Sequence, residues 1–332
     1  MAPVARTARP GQGVGGAAPT TLRAVKLASS AAVAVLVAGG VGSAAQPVWR
    51  PARPVPVART EVTAAPLGRE IAVVGGFLAS GRNTGRADAY SPARNRWRRL
   101  PNLPVTVDHA MSAGVSGRLY VVGGYGPGSV ARNTAFVLRS GQWTALPPMP
   151  APRAAGGAAI VGRKLYVVGG VEAPGRLARD SFAFDLDAAR WTVIRGPRPR
   201  EHLGAAALGG RIYVVGGRTA GLDTNLDVVE SFDPRSGSWR AVPPVPGTRG
   251  GTAAAAVAER IVSAGGEQPG GTIRTVYAYS PRTRRWTQLP RMRTSRHGLG
   301  LVGWRGRVYA LAGGPQPGLT VSSANEVLAL GR

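Results

Sequence analysis

From residue 46 onward the apolar residues gather in short unbroken runs that stop at paired glycines. "LYVVGGY" from Leu119 is one such run, and the figure returns as "IAVVGGF" from Ile71, "LYVVGGV" from Leu165, "IYVVGGR" from Ile212, "IVSAGGE" from Ile261 and "VYALAGG" from Val308. A run of about four apolar residues bounded by turn signals predicts a strand buried on both faces. A further strand follows in the same phase, as "ADAYSP" at 87, "SFAFDL" at 181, "ESFDP" at 230 and "YAYSP" at 277. Beyond it stands a tryptophan, at 97, 143, 191, 239 and 286. No stretch after residue 45 combines a helical period with caps, so the elements predicted are strands throughout.

The first glycine of each pair reads at 75, 123, 169, 216, 265 and 313, giving separations of 48, 46, 47, 49 and 48 residues. That period is too long for a heptad or a leucine-rich repeat and matches a propeller blade. The sixth pair has no tryptophan after it, since the chain ends in "NEVLALGR". Trp49 supplies the missing member, because it precedes Gly75 by 26 residues, the interval that separates Trp97 from Gly123 and Trp143 from Gly169. The segment around Trp49 is therefore expected to pair with Glu326–Leu330 and to close the ring, which removes both free sheet edges.

The chain resembles the kelch-repeat family on these residues. "IYVVGG" from Ile212, "SFDPRSGSW" from Ser231 and "PPVPGTRG" from Pro243 give one repeat in full, and the resemblance covers 46–332. It implies an all-β, six-bladed kelch β-propeller, with a ligand surface on the face that carries the loops before strand one and after each glycine pair. It also implies relatives of two kinds, binding scaffolds and sugar enzymes. Galactose oxidase, with a copper site that uses a cysteine crosslinked to tyrosine, belongs to the second kind, as does an exported sialic acid mutarotase. Cysteine is absent here, so that copper site cannot form.

Residues 1–45 read differently. Arg6, Arg9, Arg23 and Lys26 precede an apolar run from Leu27 to Ala45, and no acidic residue appears before Glu61. This fits a signal peptide cleaved after Ala45, with a retained membrane anchor over 27–45 as the alternative. Either places the propeller outside the cytoplasm, secreted or extracytoplasmic, touching the membrane only through that segment. The remaining charge is lopsided: 42 basic against 16 acidic residues give a net +26, carried almost wholly by arginine. Such a surface suits an anionic envelope polymer as a secondary partner. Aromatic and basic residues do not alternate as in a nucleic-acid platform, so no specific nucleic acid is expected.

Candidate chemistry gathers in the loops of the ligand face. The loops before strand one offer Glu61, Asp108, His109, Arg153, Glu201, His202, Arg249, Arg296 and His297, and those after the glycine pairs offer Phe77, Tyr125, Glu172, Arg218 and Glu267. All three histidines of the chain fall in the first set, at matching points of alternate blades and too far apart to share a metal. Neither a metal nor a cofactor is expected. Glu201 and His202 form a candidate general acid and base pair. Arginines ten residues past a tryptophan, at 59, 153, 249 and 296, either grip a carboxylate or tie one blade to the next through backbone carbonyls. "DTNLD" from Asp223 imitates a calcium loop but has Val228 where glycine is needed, and "GQGVGG" from Gly11 has no strand before it. The leading expectation is a monomeric, non-catalytic scaffold for a protein or glycan ligand. A sugar-modifying enzyme of the mutarotase or epimerase type is the alternative.

Overall fold

The computed structural model describes residues 47–331. The signal or anchor expected over residues 1–45, and the glycine-rich stretch at Gly11, lie outside the described residues. Six antiparallel four-stranded sheets make up the ring, the first five running in chain order from the channel outward. Blade one is Thr63–Leu67, Glu70–Val74, Ala87–Ser91 and Arg96–Arg99. Blades two to five repeat this plan and start at Met111, Gly157, Gly204 and Ala253.

Blade six takes three strands from the end of the chain, Gly300–Trp304, Arg307–Leu311 and Asn325–Ala329. Its fourth is Arg50–Pro51, with Arg50 opposite Val327 and Pro51 opposite Glu326. The ring closure expected from the Trp49 spacing is thus the one formed.

Each second strand is buried along nearly its whole length because both faces meet a neighbouring blade, which is why its apolar run is unbroken rather than alternating. The cores lie between blades: Ala65, Val74 and Ala89 of blade one pack against Leu119, Val121 and Leu138 of blade two. The tryptophans pin these contacts. Each indole N–H donates to a backbone carbonyl of the preceding blade, Trp97 to Arg53, Trp143 to Pro101, Trp239 to Arg195 and Trp49 to Pro290, at 2.8–2.9 Å.

The paired glycines do two different jobs. The second of each pair, Gly76, Gly124, Gly170, Gly217, Gly266 and Gly313, has φ between 90° and 126°, beyond the left-handed well open to other residues. A Cβ on Gly76 would lie 2.4 Å from the Thr60 carbonyl oxygen in the loop that opens its own blade. The first position asks less. In blade six it is filled by Ala312 at φ 56°, and Gly313 N–H donates to Arg59 O as Gly124 N–H does to Arg153 O. The sixth frame therefore starts one residue earlier than the sequence pattern implies, since an alanine stands where the first glycine was sought. Gly76→Ala is expected to cost about 2–5 kcal/mol, from backbone strain and overlap together. Ala312→Gly should change stability by no more than about 1 kcal/mol. Urea melts of the two variants test the distinction; equal losses would refute it.

Candidate functional site

The loops that open the blades set two rings of residues at one mouth of the channel. Thr60, Asp108, Ala154, Glu201 and Gly250 each bridge to the residue after a glycine pair, namely Phe77, Tyr125, Val171, Arg218 and Glu267, and His297 bridges to Gly314 after Ala312 and Gly313. The next residues form the inner ring: Glu61, His109, Ala155, His202, Gly251 and Gly298, all with φ between 48° and 64°. Their backbones join in a belt. His109 N–H donates to Glu61 O, Ala155 to His109, His202 to Ala155, Gly251 to His202 and Gly298 to Gly251, and Val62 N–H closes the circuit on Gly298 O, at 2.7–3.2 Å. The shared left-handed turn is what lets the belt form, and it brings the inner-ring side chains together at the mouth.

The histidines consequently meet, which overturns the expectation that they lie too far apart. His109 Nε2 is 2.9 Å from His202 Nε2 and 3.1 Å from Glu61 Oε2. Only Ala155 stands between the two histidines in the ring, and its methyl group is too short to separate them. His297 is not at a matching point: it occupies the outer ring, one residue before Gly298, and its Nδ1 lies 2.8 Å from Glu61 Oε1. His109 and His297 meet on the Glu61 carboxylate, and His202 joins them through His109.

Charge alternates around this cluster. Asp108 Oδ1 lies 2.5 Å from His109 Nδ1, and Glu201 Oε1 lies 3.3 Å from both His202 Nδ1 and Arg218 Nε. Arg218 Nη1 donates to Glu267 Oε1 at 2.8 Å. Burial alone would push the Glu61 carboxyl up, but the charges of His109 and His297 and the hydrogen bond from His297 hold it far below the usual carboxylate range. Burial also works against charge on His109 and His297, yet Glu61, with Asp108 at one and Glu267 at the other, raises both above the ordinary histidine value. His202 goes the other way, because burial outweighs its contact with Glu201. Glu201 is itself held low, with His202 and Arg218 overcoming the effect of burial. Phe77 and Tyr125 stand edge-on to the His109 ring, with centroids 6.2 and 5.4 Å away.

The candidate ligand-binding arginines Arg153, Arg249 and Arg296 do not reach this mouth. Their side chains point into the blades they open and are at most 1% exposed. Arg153 Nη1 donates to Gly169 O and Asp180 O, and Arg296 Nη1 to Ala312 O and Ala324 O. Arg249 bonds Thr275. Burial lowers the Arg153 and Arg249 guanidinium values to about 10, and that of Arg59 likewise. At the same time each residue's own carbonyl accepts from the second glycine of the preceding blade. In these arginines the guanidinium holds carbonyls of its own blade, while the main-chain carbonyl takes the link from the blade before.

The spacing rule also missed a fifth member. Arg200, nine residues past Trp191 rather than ten, is fully buried and bonds Gly216 O and Glu230. The sequence signal was the arginine directly before Glu201, the same place that Arg296 holds before His297. Glu172 stays on the rim and pairs with Arg176. Glu201 and His202 do converge, with Arg218 as their cationic neighbour. Asn225 of the calcium-like loop is committed elsewhere, its Nδ2 donating to Glu267 O.

Two family profiles match in tandem: the Kelch motif over residues 58–104, and the KLHDC2/KLHL20/DRC7 Kelch-repeats domain over residues 108–314. The second covers more than half of the chain. This chain belongs to the kelch-repeat β-propeller family. Kelch-like protein 28 of Homo sapiens is similar to it, 35% identical over 102 residues, which is 28% of this chain and 18% of that protein. The match thus spans less than a fifth of that relative's length.

Proposed function

We propose that this kelch propeller is a non-catalytic scaffold that binds a protein partner on the rim around the channel mouth. The observation that carries the reading is the size of the mouth. Its cavity holds about 130 Å³ and is walled by Glu61, His109 and His202, by small residues and by Met111 and Leu203 among larger apolar ones, whereas small-molecule sites run to roughly 300–1,000 Å³. That is too little space for a sugar acid; Arg153, Arg249 and Arg296 are sealed inside the blades, and Arg218 at the mouth is already paired with Glu201 and Glu267. The space lies instead between the projecting loops. One groove of about 450 Å³ runs between Tyr125, Pro174, Arg176 and Thr219, and another of about 400 Å³ between Arg82, Asp108 and Pro127. Val130 and Leu319 stand on loops of this rim at 60% and 53% exposure. Family membership supports the same reading, since kelch propellers commonly serve as protein-interaction scaffolds.

The test is site-specific photocrosslinking in the native cell. A crosslinker at Val130 or Leu319 should capture one discrete partner, while the same group at Val193, exposed on the outer strand of blade three, should not. Capture at Val193 alone would overturn the reading. So would acceleration of the anomeric exchange of a pure sialic acid anomer, followed by NMR, if it is lost in Glu201→Gln.

We place the scaffold outside the cytoplasm on the strength of the basic flank and apolar run over residues 6–45. Mass spectrometry of the protein from its native host should find Gln46 as the first residue. A protein that starts at Met1 and stays with the membrane would assign the same run to an anchor.

A further inference from the structure

The geometry points to a divalent-metal site at the channel mouth, in which His109 Nε2, His202 Nε2 and a Glu61 carboxylate oxygen hold a zinc-class ion and leave a fourth position open.

Four observations converge on it. The three ligand atoms lie within 4.8 Å of one another, and the two imidazole nitrogens, 2.9 Å apart, need move only a few tenths of an ångström to the separation of about 3.3 Å that tetrahedral zinc imposes. Two of the three ligands are also held from behind. Asp108 stands at His109 Nδ1 and His297 Nδ1 at the second Glu61 oxygen, while Glu201 lies 3.3 Å from His202 Nδ1, close enough to pair by charge but not hydrogen-bonded to it. A carboxylate at Nδ1 keeps the proton there, frees Nε2 as a ligand and fixes the ring plane. The third observation is the backbone. All three ligands share the left-handed turn, at φ 51°, 48° and 53°, and sit in the hydrogen-bonded belt, so their Cα positions are fixed before an ion arrives. The last is room. The other inner-ring residues are Ala155, Gly251 and Gly298, and the 130 Å³ of the mouth suits one ion with a few waters at about 30 Å³ each.

Two imidazoles and a carboxylate favour zinc over magnesium or calcium, which prefer all-oxygen shells. The side chains are 10–13% exposed, so an ion can enter from the mouth. A fourth ligand, water or an anionic group of a partner, completes the tetrahedron. This inference is independent of the scaffold reading, because metal binding is measured on the isolated protein without a partner.

The experiment uses the purified full chain, stripped with chelator and titrated with zinc by calorimetry, and with cobalt(II) followed by visible absorption. One zinc per chain and the intense absorption of four-coordinate cobalt are expected. His109→Ala and His202→Ala should each weaken zinc binding by at least about 100-fold, and Asp108→Asn, which keeps every ligand, by about 10–100-fold. With three histidines and no cysteine in the chain, such losses can be mapped to the mouth. A second measurement does not depend on the variants folding: zinc added to the wild-type protein should shift the imidazole NMR signals of His109 and His202 more than that of His297. Absence of saturable binding, affinity unchanged in both histidine variants, a six-coordinate cobalt spectrum, or signals that move chiefly at His297 would each overturn the assignment.

Discussion

Arg59→Met is expected to destabilise the propeller by about 3–5 kcal/mol, and Arg153→Met by less than about 1.5 kcal/mol, although both arginines are buried at equivalent points of their blades. Arg59 donates to Gly75 O at 3.1 Å, Arg86 O at 2.8 Å and Asp88 Oδ2 at 2.8 Å. Asp88 is 1% exposed. Removing the guanidinium leaves the Gly75 carbonyl unpaired, the Arg86 carbonyl with the Gly75 N–H alone, and a buried carboxylate with Arg86 as its remaining cation. Arg153 has no such counterion. It lies over the Phe182 ring at 4.5 Å, its Nε and Nη2 find no acceptor, and its carbonyl bonds are 3.0 and 3.3 Å long. Methionine of similar length relieves a buried charge there and keeps most of the packing. Urea melts of the two variants measure the difference, and equal losses would mean that counterion pairing is not what separates the two sites. An exposed control, Arg98→Ala, removes the ion pair with Glu70 and should cost less than about 1 kcal/mol.

Trp49→Ala is expected to cost about 3–5 kcal/mol, while Trp143→Ala costs about half as much, though the two residues hold equivalent places. Trp49 is 4% exposed and packs with Leu289, Met292 and Leu328 at the junction of blades five and six. Trp143 is half-buried on the surface of its blade. The strand after Trp49 is only two residues long, continued by Ala52 N–H to Asn325 O and Val55 N–H to Ser323 O, and the indole is the largest apolar group that fixes the closing segment. Without it the strand Asn325–Ala329 loses its outer partner and presents an unpaired edge. The Trp49 variant should therefore also associate at high concentration, seen by size-exclusion chromatography, where Trp143→Ala keeps the elution volume of the unaltered protein. Melts in which the two variants are equally stable would remove Trp49 from its anchoring role.

Much of this architecture was legible in the sequence because each blade repeats its own evidence. Glycine pairs, turns and tryptophans recur in phase, and the 26-residue interval before Gly75 located the closing strand at Trp49. The slips came where one blade departs by one residue from the rest: Ala312 in place of a first glycine, and Arg200 nine rather than ten residues past Trp191. The site was legible only as a roll of loop residues. That His109 and His202 touch depends on a left-handed turn at each and on the short side chain at Ala155, and spacing along the chain carries neither fact. The same limit applies to the arginines, whose positions were found but whose direction, inward to the blade rather than outward to a ligand, is set by the sheets around them.

The backbone belt at the mouth also decides how the molecule comes apart. An open array of repeats can fray from its ends, since a terminal unit has one neighbour to lose. Here every sector passes a peptide hydrogen bond to the next and receives one from the last, so no sector is terminal and none melts without breaking two such links. Heat should take the whole circle apart in one sharp transition.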